Sequence, residues 1–135
     1  MAPNGMATAT TGRPRILVIE DEPSVTAFLR TALERRGYEV VPSPSGAEGL
    51  KLLASGDFRG VISDFRTPGG VTGADVHDWL TRNRPDLAAR IIFITGDTAS
   101  DETIALLAHS GTPCVEKPFR VHQLMEAVEK TIGKP

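Results

Sequence analysis

The chain has 135 residues, a size suited to one domain with a core of its own and no need of staples. Its net charge of −2 and its 40% apolar and 24% charged content are ordinary for a globular protein and give no electrostatic case for nucleic acid. No apolar run approaches the roughly 18 residues of a membrane span, no signal pattern opens the chain, and the lone cysteine, Cys114, excludes an intramolecular disulfide and points to a reducing cytoplasm.

Residues 1–14, MAPNGMATATTGRP, are small, polar and aperiodic. They read as a disordered leader or a cloning remnant, with Met6 as an alternative start, and the folded domain is expected over 15–133. RILVIE is the first strand, short and apolar, and it runs into three carboxylates, Glu20, Asp21 and Glu22. Pro23 then suits a first helical position. Val25, Phe28, Leu29, Ala32 and Leu33 form one apolar stripe, and Gly37 is the stop. YEVV is the second strand. Ser45 and Glu48 predict a capping box, followed by a helix with Ala47, Leu50, Leu53 and Ala54 inward, ending near Gly56.

GVISD is the third strand, ending at Asp64 before the glycine-rich loop FRTPGGVTG. A helix over 74–83 buries Val76 and Leu80 and stops before Pro85. RIIFIT is the fourth strand, ending at Thr95. GDTAS leads to a helix capped by Ser100 with Ile104, Leu107 and Ala108 inward. PCVEK is the fifth strand, ending at Lys117, and the last helix turns Val121, Leu124, Val128 and Ile132 inward. Strand-then-helix units in this number predict an α/β fold, a parallel sheet covered on both faces. Sites in such sheets lie outside the carboxyl ends of the strands. Glu20, Asp21, Asp64, Thr95 and Lys117 therefore share one rim. Crowded carboxylates there repel one another and suit a hard divalent cation such as Mg²⁺.

The motifs VIEDEP, VISDFRTPGG, FITGD and VEKPF, in this order and each at a strand end, resemble those of the response-regulator receiver domains of bacterial two-component signalling. The resemblance covers about 15–130. It implies a doubly wound, flavodoxin-like three-layer sandwich with strand order 2-1-3-4-5. It implies Asp64 as the phosphoacceptor, and Mg²⁺ held by Glu20, Asp21, Asp64 and the backbone carbonyl of Arg66. Thr95 and Lys117 would contact the phosphoryl group, and the Lys117–Pro118 bond would be cis. The activity implied is the chain's own phosphorylation and dephosphorylation in a phosphorelay, not turnover of a separate substrate. The partners implied are a sensor histidine kinase or histidine phosphotransfer protein, with an output partner on the face of the GDTAS helix, fifth strand and last helix. Neither nucleic acid nor membrane is expected to bind directly, and a homodimer is left open. FITGDT and SGTPCVEKPF are worded like the carboxyl-terminal receivers of hybrid kinases, so both a fragment of one and a stand-alone receiver fit.

Three positions depart from the family pattern. Glu20 stands where an aspartate is usual. The loop after Asp64 has Thr67 for the usual methionine and one extra residue. Cys114 stands where relatives carry the aromatic ring of the switch, so it is expected to be a small buried thiol without a redox role. Arg66 and Asp97, each two residues past a site residue, are expected to face each other and modulate dephosphorylation. His77, His109 and His122 lack ligand-spaced partners and read as surface residues, Trp79 reads as core edge, and Leu106 lies off its helix's stripe. A flavin carrier would want a loop of backbone donors after strand one, where EDEPS repels phosphate. An aspartate phosphatase would want an acid at Arg66. The intact Asp64, Thr95 and Lys117 set argues against an interaction-only receiver.

Overall fold

The structure, a computed structural model, describes residues 12–66, 70–96 and 111–135. Among these, strands β1 (Arg15–Ile19), β2 (Glu39–Ser43), β3 (Gly60–Asp64), β4 (Ile91–Thr95) and β5 (Cys114–Glu116) pair in parallel in the order β2-β1-β3-β4-β5. The helices are α1 (Pro23–Arg35), α2 (Gly46–Ser55), α3 (Gly73–Asn83), a single turn α4 (Pro85–Ala88) and α5 (Val121–Thr131). The helix expected after GDTAS, with Ser100, Ile104, Leu106, Leu107 and Ala108, lies outside the described residues, as do Thr67, Asp97, His109 and residues 1–11.

The central strands are apolar on both faces because both faces are covered. In β1, Ile16 and Val18 join Leu29, Leu33, Leu124 and Val128 in one core, under α1 and α5. Leu17 and Ile19, pointing the other way, join Leu53, Val76, Leu80 and Leu87 under α2, α3 and α4. Gly37, at φ +105°, ends α1 as expected. Its N–H donates to Glu34 O and that of Tyr38 to Leu33 O, the double bond of a glycine-terminated helix. The Ser45 half of the capping box is present, with its hydroxyl accepting from Glu48 N at 3.2 Å. A full box opens α3 instead, between Thr72 and Asp75. No helix of the described residues is long and apolar enough to cross a membrane.

Several inward assignments need correction. Phe28 and Val121 are exposed rather than buried, at 40% and 39%. Phe28 sits at the solvent edge of the α1 stripe, edge-on to Phe119 with ring centroids 5.7 Å apart. In α2 the buried side is Gly46, Gly49 and Leu53, whereas Ala47 and Ala54 are exposed. The helix comes so near the sheet that a Cβ on Gly49 would stand 2.5 Å from Ile19 Cδ1. The second strand runs further than YEVV, through Pro42 to Ser43, which an edge strand tolerates. His77 is half-buried beside Phe93 rather than on the surface, while Trp79 is partly buried as expected.

Candidate functional site

Three parallel strands deliver the site. β1 ends at Ile19, and the next residue, Glu20, is fixed by its own N–H donating to Ser43 O at 2.9 Å. β3 ends at Asp64, whose side chain is 11% exposed. β4 ends at Thr95, buried to 1%, and its carbonyl accepts from Lys117 N at 2.8 Å just beyond β5. Glu20, Asp21, Asp64, Thr95 and Lys117 are thus brought to one rim, as expected from their strand-end positions. Behind Asp64, α3 begins so close that a Cβ on Gly73 would lie 2.9 Å from both Asp64 O and Phe65 Cα. The Lys117–Pro118 bond is cis.

Lys117 is the hub. Its Nζ lies 3.0 Å from Glu20 Oε1, 3.1 Å from Asp64 Oδ2 and 3.4 Å from Glu22 Oε1. The other oxygens are held by backbone. Glu20 Oε2 accepts from Glu22 N, and Asp64 Oδ1 accepts from Arg66 N, both at 3.1 Å. Burial alone would lower the Lys117 pKa, but the close Glu20 carboxylate, the hydrogen bond that Lys117 donates to Asp64 and the charges of both acids outweigh it and hold the ammonium above the ordinary lysine range. Burial pushes the Glu20 carboxyl up, and the Asp64 charge adds to this. The Glu22 N–H and Lys117 oppose it without cancelling it. Glu20 Oε1 is buried and accepts no well-directed hydrogen bond; the ammonium meets it as a charge only.

Glu20, Asp21 and Asp64 bring ligand oxygens to within 4.8 Å of one another. Asp21 is exposed and the other two are buried, so the cluster opens to solvent on one side. Hard oxygen donors at this spacing suit a divalent cation that keeps part of its water shell. The buried, poorly satisfied Oε1 of Glu20 is a specific observation in favour of that fit. Beside the rim lies an apolar groove of about 430 Å³, lined by Val25, Phe28, Pro118 and Phe119, with Glu22 and Lys117 at its edge.

Glu22 was not singled out from the sequence as a site residue. Its signal was present in the third acid of EDE, whose reach to a lysine 95 positions on only the fold reveals. The aromatic pair Phe28–Phe119 was likewise missed, because the apolar stripe placed Phe28 in the core. Cys114 is a correction. It is exposed, because β5 is a three-residue edge strand that buries only its middle residue, Val115. Burial of part of the side chain and the Glu116 charge still push its thiol pKa up. Arg66 is exposed; its expected partner Asp97 lies outside the described residues.

Residues 16–129 match the family model of the response regulator receiver domain. The chain is 32% identical over 120 residues to the transcriptional regulatory protein TcrA of Mycobacterium tuberculosis, covering 89% of this chain and 46% of that protein. It is 33% identical over 122 residues to the response regulator receiver protein CpdR of Brucella abortus, covering 87% and 96%. It thus spans just under half of TcrA and nearly all of CpdR. Among solved structures it is similar to the response regulator TrrA of Thermotoga maritima in complex with Mg²⁺ and BeF, with TM-score 0.75, 30% identity and coverage of 87% and 98%.

Proposed function

Because this chain belongs to the response regulator receiver domain family, a family of signalling domains rather than of conventional enzymes, we propose that it accepts a phosphoryl group on Asp64. The observation that carries the reading is the contact of one buried carboxylate, Asp64, with an ammonium on one oxygen and a backbone N–H on the other, inside an acidic rim. Both contacts orient the nucleophile.

Glu20, Asp21 and Asp64, with the Arg66 carbonyl, would hold Mg²⁺. When bound, the ion supplies positive charge where two anions must meet. One Asp64 oxygen attacks phosphorus as the P–N bond of a phosphohistidine breaks. The P–O bond forms, and the imidazole leaves with the bonding pair. Lys117 then exchanges part of its pairing with Asp64 for a phosphoryl oxygen, and the Thr95 hydroxyl donates to another. Movement of Thr95 and the chain after it carries the signal. Arg66 and Asp97, each two positions past a site residue in the sequence, tune hydrolysis.

The donor is a histidine kinase or histidine phosphotransfer protein in the cytoplasm, and the apolar groove beside Lys117 supplies a protein-docking surface next to the nucleophile. The working unit is 15–133, consistent with Ile132 in the core and the Tyr38 hydroxyl donating to the Gly133 carbonyl. The test is mass measurement after incubation with Mg²⁺ and acetyl phosphate. One phosphoryl group is expected, lost in Asp64→Asn with the fold intact by circular dichroism. An unchanged yield in the variant, or a stable phosphate elsewhere, contradicts the assignment.

A further inference from the structure

An ammonium has three N–H donors, and that of Lys117 already faces three carboxylate oxygens, Glu20 Oε1 at 3.0 Å, Asp64 Oδ2 at 3.1 Å and Glu22 Oε1 at 3.4 Å. A phosphoryl oxygen therefore reaches it only by displacing one of them. The three are not equally easy to displace. The Glu20 side chain is wholly covered, and losing Lys117 would leave a buried carboxylate without its counter-charge. Asp64 carries the phosphoryl group, so Lys117 stays beside it. Glu22 is 59% exposed and its contact is the longest, so water can take over its carboxylate once the lysine leaves.

The orientation of Glu22 is not the one its place in the chain favours. It is the N-cap of α1, where an acidic side chain is stabilised by turning back onto the free N–H groups of the first turn. The Glu22 side chain makes no such bond. Only its carbonyl serves the helix, accepting from Val25 N and Thr26 N at 3.1 Å each. Its own N–H donates to Glu20 Oε2, which ties its backbone to the rim. The carboxylate reaches away from the helix, to a lysine 95 positions on.

We propose that Glu22 is a positioning residue, an anion that competes with the phosphoryl group for Lys117 and must be displaced whenever Asp64 is phosphorylated. The inference rests on the reading of Asp64 as the phosphoacceptor. An exposed ion pair is worth at most about fivefold in an equilibrium. Glu22 therefore grades the affinity for a phosphoryl group and does not abolish it.

The test is a fluorine NMR titration with beryllofluoride, a phosphoryl mimic, in Mg²⁺ at low ionic strength, where an exposed pair is least screened. The native chain is expected to bind one beryllofluoride and Asp64→Asn none. Glu22→Gln should bind it about three- to fivefold more tightly than the native chain. Glu22→Asp keeps the charge, but its side chain is one methylene shorter and is drawn to the helix N-terminus as a preferred cap. It should bind within about twofold of Glu22→Gln and melt at a higher temperature than the native chain. Glu34→Gln, an equal change of charge further along α1, should alter the affinity by less than about twofold. A native chain that does not bind, or undiminished binding in Asp64→Asn, overturns the phosphoacceptor reading and this inference with it. Where those two behave as expected, an affinity of Glu22→Gln at or below the native one, or an equal gain in Glu34→Gln, overturns this inference alone. So does native affinity in Glu22→Asp, because the charge of Glu22 and not its contact with Lys117 would then set the binding.

Discussion

A buried carboxylate either gives up its charge or finds a counter-charge, and Glu20 sits between these outcomes. Its side chain is wholly covered, its pKa is raised chiefly by burial, and Lys117 meets an oxygen that has no well-directed hydrogen bond. A raised carboxyl pKa means that the native state binds protons more readily than the unfolded chain does. Stability from this group is therefore greatest at low pH and is lost as pH rises from the ordinary value of 4.5 through the raised one. At neutral pH without cation, Glu20 is a net cost. Glu20→Gln should accordingly raise apo stability, on the order of 1 kcal/mol, and flatten that pH slope. Lys117 keeps Asp64 and Glu22 as partners. Millimolar Mg²⁺ is expected to raise the melting temperature of the native protein, and the same variant should lose most of that rise. Thermal melts at two pH values, with and without Mg²⁺, check all three expectations. An apo variant less stable than the native chain would show that the Glu20 charge holds the rim together rather than straining it.

At the scale of elements, the strands were legible because each is a short apolar run ending in a polar residue, and a parallel sheet buried on both faces demands that pattern. The site was legible for the same reason, since its members are those polar ends. What escaped was set by close approach and by edges. α2 turns glycines inward, and an apolar-periodicity reading has no weight for a residue without a side chain. α4 is one turn, too short for any periodicity, so Pro85 read only as a stop. Cys114 looked buried because relatives carry the aromatic ring of the switch at that position, but β5 is an edge. Two predictions belong here. Gly73→Ala would press on backbone atoms of Asp64 and Phe65, which cannot swing aside, and should cost about 1–3 kcal/mol. It should also slow phosphorylation by acetyl phosphate. Equal destabilisation with an unchanged rate would remove Gly73 from the support of the site. Phe28→Ala empties one wall of the groove while touching little of the core, so stability should move by less than about 1 kcal/mol. Transfer from a phosphorylated histidine protein should fall, and transfer from acetyl phosphate should not. A parallel fall in both would tie Phe28 to the chemistry instead of to docking.

Among the described residues, charge is sorted along the strand direction, although Glu39, Asp57 and Asp86 stand among the arginines. Glu20, Asp21, Glu22 and Asp64 gather at one end, and Arg13, Arg15, Arg59 and Arg90 at the other. A net charge of −2 therefore hides a separation of charge across the full height of the sheet. Such a body turns in the field of an approaching ion before contact is made. Every phosphoryl donor is an anion, and the metal-free protein presents to it the arginine end, the wrong way round for reaction. A divalent cation held in the acidic rim would, with Lys117, offset three of its four negative charges and weaken the repulsive near field at Asp64. The metal would then govern which encounters are oriented to react, as well as the step that follows them. Ionic strength separates the two effects. At low Mg²⁺, added monovalent salt should speed phosphorylation by acetyl phosphate by screening the repulsion. At saturating Mg²⁺ the same salt should leave the rate level or reduce it. A salt response of one sign at both concentrations would mean that orientation in the long-range field plays no part, and that the two ends act only on what already touches them.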